Sequence, residues 1–110
     1  MQQINKPHPD IRFHRNGLIE IRARGVQKMR LSLCPNVSFF INEESDLYIV
    51  PDKDGIKPAD NKTSFYRYRS KDVCRQVLSL PDVPGGLDKA AFRIGEEENG
   101  YFPVITRRTL

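Results

Sequence analysis

A chain of 110 residues, 38% apolar and 29% charged, has room for one small globular core and is too apolar to stay disordered. Its 18 lysines and arginines outnumber its 14 acids, giving a formal charge of +4 and a mild bias toward anionic partners. No apolar run approaches the roughly 20 residues of a membrane-spanning helix, and residues 1–10 are too polar for an export signal, so a cytoplasmic protein without membrane contact is expected.

Residues 11–15 alternate apolar and polar side chains, the period of a half-buried strand. Asn16-Gly17 then predicts a two-residue hairpin turn, because both residues tolerate positive φ. Alternation resumes over 18–22, so Ile11, Phe13, Ile19 and Ile21 point inward, and Arg12, His14, Glu20 and Arg22 point out. A short helix is predicted over 24–31, with Val26, Met29 and Leu33 on one side, Lys28 and Arg30 on the other, and Pro35 as its stop. Residues 38–41 and 47–50 read as strands around the polar turn 42–46. Residues 51–63, rich in Pro, Gly, Asp and Lys, read as a linker.

A second strand-helix stretch follows. Residues 64–69 alternate aromatic and arginine side chains. Ser70 is the expected N-cap, with Asp72 in the first turn, of a helix running through Val73, Val77 and Leu80. Residues 81–86 break it, 90–94 and 101–105 form a last hairpin around Glu96-Glu97-Glu98, and 106–110 are a short basic tail.

The two cysteines, Cys34 and Cys74, read as reduced, partly buried thiols, and neither has a second Cys or His at metal-ligand spacing. His8 and His14 are isolated, and no nucleophile with a positioned base is recognisable. No enzyme activity, metal or cofactor is therefore expected.

The two halves of the chain match. Residues 22–33 align without a gap to 69–80, with five of twelve positions identical; after six extra residues, Phe39, Ile41, Glu43, Glu44 and Tyr48 pair with Phe92, Ile94, Glu96, Glu97 and Tyr101. The expected organisation is one domain over 1–110, made of unit one at 11–50, the linker at 51–63 and unit two at 64–106. Its fold class is mainly β with two short helices.

Unit one resembles the AbrB/SpoVT family of swapped-hairpin DNA-binding domains, which includes MazE-like antitoxins. The resemblance is carried by Gly17 in the turn, the Ile19-x-Ile21 strand, the short basic helix, the block Leu31-Ser-Leu-Cys-Pro-Asn-Val-Ser-Phe-Phe-Ile41, and Leu47-Tyr-Ile49. It implies a small β-barrel of two interleaved ββαββ-type units, here fused in one chain, with basic strands and loops facing DNA. Leu18 stands where the family usually carries an Arg, and Asn36-Val37 replaces its Gly-Asp.

The stretches 12–30 and 65–75 hold ten of the eighteen Lys and Arg residues but only two acids, Glu20 and Asp72. Candidate phosphate contacts are Arg12, His14, Arg15, Arg22, Arg24, Lys28 and Arg30 from unit one, and Arg67, Arg69, Lys71 and Arg75 from unit two. Guanidinium groups suit phosphate oxygens through bidentate hydrogen bonds. Tyr66 and Tyr68, set among the arginines, are candidates for stacking on bases. The expected function is DNA binding in transcription regulation, with duplex ahead of single-stranded nucleic acid and the chain acting as a monomer or homodimer. The rival is a structural or protein-interaction module that uses the same barrel.

Overall fold

Strict alternation of buried and exposed residues builds the first hairpin, β1 (Ile11–His14) and β2 (Leu18–Ile21), whose four inward side chains are fully buried. The computed structural model describes residues 8–61, 64–107 and 109–110. The hairpin turn differs from the expected one. Ile11 faces Ile21 and Phe13 faces Ile19, which leaves three loop residues, 15–17. The Gly17 amide donates to the His14 carbonyl, and Gly17 alone takes a positive φ, +100°. This is a type I turn closed by a left-handed glycine. The physical reason is parity: directly opposed residues share a face, so an even loop would set Phe13 opposite Glu20 and send one of them to the wrong side. Gly17 is doubly constrained, because an added Cβ would also lie 2.8 Å from Lys71 Cγ.

The first helix, α1 (Ala23–Lys28), is shorter than the expected span of 24–31. Pro35 does not end it. Arg30 does, at φ +54°, while Leu31 donates to the Val26 carbonyl and Arg30 to that of Gln27. These paired bonds form a Schellman cap with arginine in the place glycine usually fills. The chain turns so early that Leu31, not Leu33, enters the core, and Leu33 stands 80% exposed.

Next come β3 (Val37–Ile41), β4 (Leu47–Pro51) and β5 (Tyr66–Arg69). In α2 (Lys71–Leu78), the Ser70 hydroxyl accepts from the Val73 amide, as its N-cap role requires, and Cys74, Val77 and Leu78 are buried. The chain closes with β6 (Lys89–Ile94) and β7 (Phe102–Ile105). Among the described residues, no helix is long and apolar enough to cross a membrane.

The seven strands form one curled antiparallel sheet, a half-barrel, in the order β3-β4-β7-β6-β1-β2-β5. Its concave side is filled by one cluster that includes Phe13, Phe92, Tyr68, Ile19, Ile49 and Val37. The stretch expected to be a linker also binds the edges of the sheet. Ile56 exchanges two backbone hydrogen bonds with Val37 on β3, and Asp60 pairs with Arg67 on β5. Gly55 permits this approach: a Cβ there would sit 2.3 Å from the Val37 carbonyl oxygen.

Candidate nucleic-acid interface

The outer face of β5-β2-β1-β6 follows from the register. Glu20 lies opposite Arg67 and Arg12, Leu18 opposite Arg69, His14 opposite Lys89, and Arg12 opposite Ala91. Cross-strand partners share a face and alternate residues along a strand share it too. This face therefore carries Arg12, His14, Arg67, Arg69, Lys89 and Arg93, with Glu20 as the acid at its centre and Asp60 beside Arg67 at its edge. Lys89 and Arg93 were missed by sequence reasoning, which left Lys89 just outside the strand expected at 90–94 and gave Arg93 within it no role.

Glu20 sits at the centre of this belt. His14 Nε2 lies 2.6 Å from its Oε1, Arg67 Nε 3.6 Å from Oε2 and Arg12 Nη1 4.0 Å from Oε1. Partial burial raises the carboxyl pKa, but the His14 hydrogen bond and the charges of His14, Arg12 and Arg67 outweigh it and hold the pKa below the usual value of 4.5. Arg67 also reaches Asp60, Nη1 to Oδ2 at 3.4 Å. One carboxylate on β2 thus fixes three side chains from the two strands that flank it, β1 and β5. Arg69, Lys89 and Arg93 are exposed and form no ion pair among the described residues.

The other expected contacts are scattered over the fold. Arg15 donates to the Leu87 carbonyl and lies 3.7 Å from Asp88 at the hairpin turn. Lys71 and Arg75 are on α2, Lys71 beside that turn and Arg75 bonded to Asp72. Arg22 stacks its guanidinium 4.6 Å from the centre of the Phe65 ring. Arg24 lies 3.7 Å from the fully buried Asp10, whose other oxygen accepts from the Ile94 amide at 2.8 Å. Lys28 donates to the Ile94 carbonyl at 2.8 Å and lies 3.5 Å from Glu96. Arg24 and Lys28 thus fasten α1 to the end of β6. Arg30 is exposed at the helix cap.

The tyrosines are a correction. Tyr66 and Tyr68 oppose Ile21 and Ile19, so they point inward with those residues. Tyr68 is fully buried and its hydroxyl donates to the Pro35 carbonyl at 2.5 Å, while Tyr66 is nearly buried. Neither ring is open for a base to stack on. Both cysteines are free thiols. Burial pushes the Cys74 thiol pKa up, offset only in part by a hydrogen bond with the backbone.

A second surface differs in character. On β3, β4 and the chain just before β7, Phe40, Tyr48 and Tyr101 form an outward aromatic cluster, with edge-on contacts at 5.6 Å (Phe40–Tyr101) and 6.4 Å (Tyr48–Tyr101). Glu97 and Glu98 line the same cleft. No protein-family model, no curated protein and no solved structure matches this chain.

Proposed function

We propose that this protein binds duplex DNA as a regulator, laying the outer face of β5-β2-β1-β6 against the phosphate backbone. The observation that carries the proposal is the gathering of six basic side chains on four adjacent strands around Glu20, with Asp60 at the β5 edge as the other acid. Four strands span about 14 Å at the usual inter-strand spacing, close to the ~12 Å width of a major groove. Basic groups on the outer strands β5 and β6 then reach phosphates on either side, while Arg12 and His14 on β1 lie between them. Phosphate contacts of this kind position a protein on the duplex, and base edges are left to Arg12 at the centre.

The fold that presents this face is, in our reading, two interleaved βαββ units related by a pseudo-two-fold axis, the swapped-hairpin arrangement. Three features support it. The element series β2-α1-β3-β4 recurs as β5-α2-β6-β7. Matching strands pair antiparallel with each other, β2 with β5 and β4 with β7, as a two-fold axis requires. Strand β1 crosses to pair with β6 of the other unit, and residues 56–60 serve β5 and β3 as β1 serves β2 and β6. The hairpins depart from strict symmetry: Ile41 faces Leu47, whereas its counterpart Ile94 faces Val104 and not Gly100.

The charges do not obey the symmetry. Aligned positions set Arg93 against Phe40 and Lys89 against Asn36. One half of the barrel is therefore the DNA-facing half, and the preferred site is a non-palindromic duplex. Fluorescence anisotropy with a labelled duplex at stepped salt tests the proposal. The exposed cations Arg69, Lys89 and Arg93 alone predict a log K against log salt slope of about −3, at roughly −0.9 per phosphate contact. Absence of binding at low salt overturns it.

A further inference from the structure

We infer that the open edge of β3 is a strand-addition site for an extended segment of a partner protein in which cationic and apolar residues alternate. Three observations on different parts of the molecule converge on it.

The first is the edge itself. Val37 spends its backbone N–H and C=O on Ile56, away from β4, while the Asn42 amide turns inward to Asp46. By alternation, the N–H and C=O groups of Phe39 and Ile41 point outward as those of Val37 do. Among the described residues, nothing pairs with them beyond Ile56. An unpaired edge of this kind is a template for one more strand.

The second is a cleft along the inner side of the same edge, between β3 and α2. Phe39, Ile41, Leu47, Val73 and Val77 line it, and Ile41 is 40% exposed although it lies on the inward-facing side of the strand. An added strand would drop alternate apolar side chains into this cleft.

The third is the outer side. There Phe40 (46% exposed), Tyr48 and Tyr101 (42% exposed) offer ring faces, with Glu97 and Glu98 beside them. The field is negative: the Tyr48 pKa is raised by burial and by Glu98, Asp46 and Glu44. Aromatic faces next to carboxylates favour Lys or Arg side chains, through cation–π contact and ion pairing together. They repel phosphate, so this surface is distinct from the basic belt. The alternation of the added strand then follows, apolar residues toward α2 and basic residues toward the tyrosines.

The probe is a blocked octapeptide, Gly-Arg-Val-Arg-Ile-Arg-Val-Gly, titrated into the full chain by calorimetry, with a charge-swapped peptide bearing Glu for each Arg. The arginine peptide should bind at least tenfold more tightly than the glutamate peptide, and should still bind when saturating duplex DNA is present. N-methylation of its alternate backbone amides should abolish binding in one register and spare it in the other. Ile41→Pro removes an outward amide from an edge position where proline is tolerated, and should weaken binding at least tenfold while leaving the circular dichroism spectrum unchanged. Glu97→Lys/Glu98→Lys should do the same. Equal binding of both peptides, insensitivity to N-methylation in both registers, or no binding at low salt would overturn the inference.

Discussion

Tyr68→Phe separates a core tyrosine from a base-stacking one. The hydroxyl is buried at the junction of β5 with the loop before β3, where it donates to the Pro35 carbonyl, and the ring fills the space against Ile19. Removing the oxygen leaves the ring in place and deprives the partly buried Pro35 carbonyl of its partner, a loss of about 1–3 kcal/mol. For a domain of this size that corresponds to a fall in Tm of roughly 5–15 °C. Burial, with Tyr66 and Cys34 nearby, also pushes the Tyr68 pKa well above its usual value of 10.0. A raised folded-state pKa gives stability that is complete below the unfolded-state pKa. That stability is lost as pH rises through the window between the two, at about 1.4 kcal/mol per pH unit. The phenylalanine variant lacks this loss, so above pH 10 its stability curve converges on that of the native protein. The assay is chemical denaturation at pH 7 to 11, paired with DNA binding at pH 7. Unchanged stability with weakened nucleic-acid affinity would refute the placement of Tyr68 in the core.

Three further outcomes are expected. Gly55→Ala places a Cβ against the Val37 carbonyl. It should destabilise the fold by about 1–3 kcal/mol and speed hydrogen exchange at Ile56 and Val37, since overpacking against backbone forces a shift; native exchange rates in the variant would show that residues 56–60 do not hold the sheet edges. Arg30→Gly relieves the left-handed strain at the helix cap and should raise stability by about 0.5–1 kcal/mol, a gain read from the denaturation midpoint; a drop would mean that the arginine side chain holds the cap. Glu20 has a depressed pKa, so its contribution is complete above the unfolded value of 4.5 and is lost as pH falls through the lower folded value. Glu20→Gln should flatten the acid limb of the stability curve, and an acid limb identical to that of the native protein would place the ion-pair cluster outside the energetics of folding.

Much of the fold was legible because alternation is local. The inward set Ile11, Phe13, Ile19 and Ile21 is as expected, and so is the Ser70 cap. The turn error was legible too, since that inward set already demands an odd loop. The same is true of the tyrosines: the alternation that points Arg67 and Arg69 outward must turn Tyr66 and Tyr68 inward. The exposure of Leu33 was not legible, because it depends on a left-handed cap at an arginine, which no propensity favours. Lys89 and Arg93 join the basic belt only through the pairing of β6 with β1, across some 75 residues of chain. Nothing local in 89–94 says which side lies beside Arg12. The open edge of β3 was hidden for the same reason, since an edge is a property of the finished strand order.

The central claim is that a duplex lies across β5-β2-β1-β6, and the salt dependence of Arg69→Ala/Lys89→Ala/Arg93→Ala tests it most directly. These side chains are exposed and form no ion pair among the described residues, so the variant should fold as the native chain does. The account predicts weaker binding on every duplex sequence and a slope of log K against log salt that is shallower by about 3, one unit per lost phosphate contact. A variant that binds duplex DNA with the native slope would contradict it.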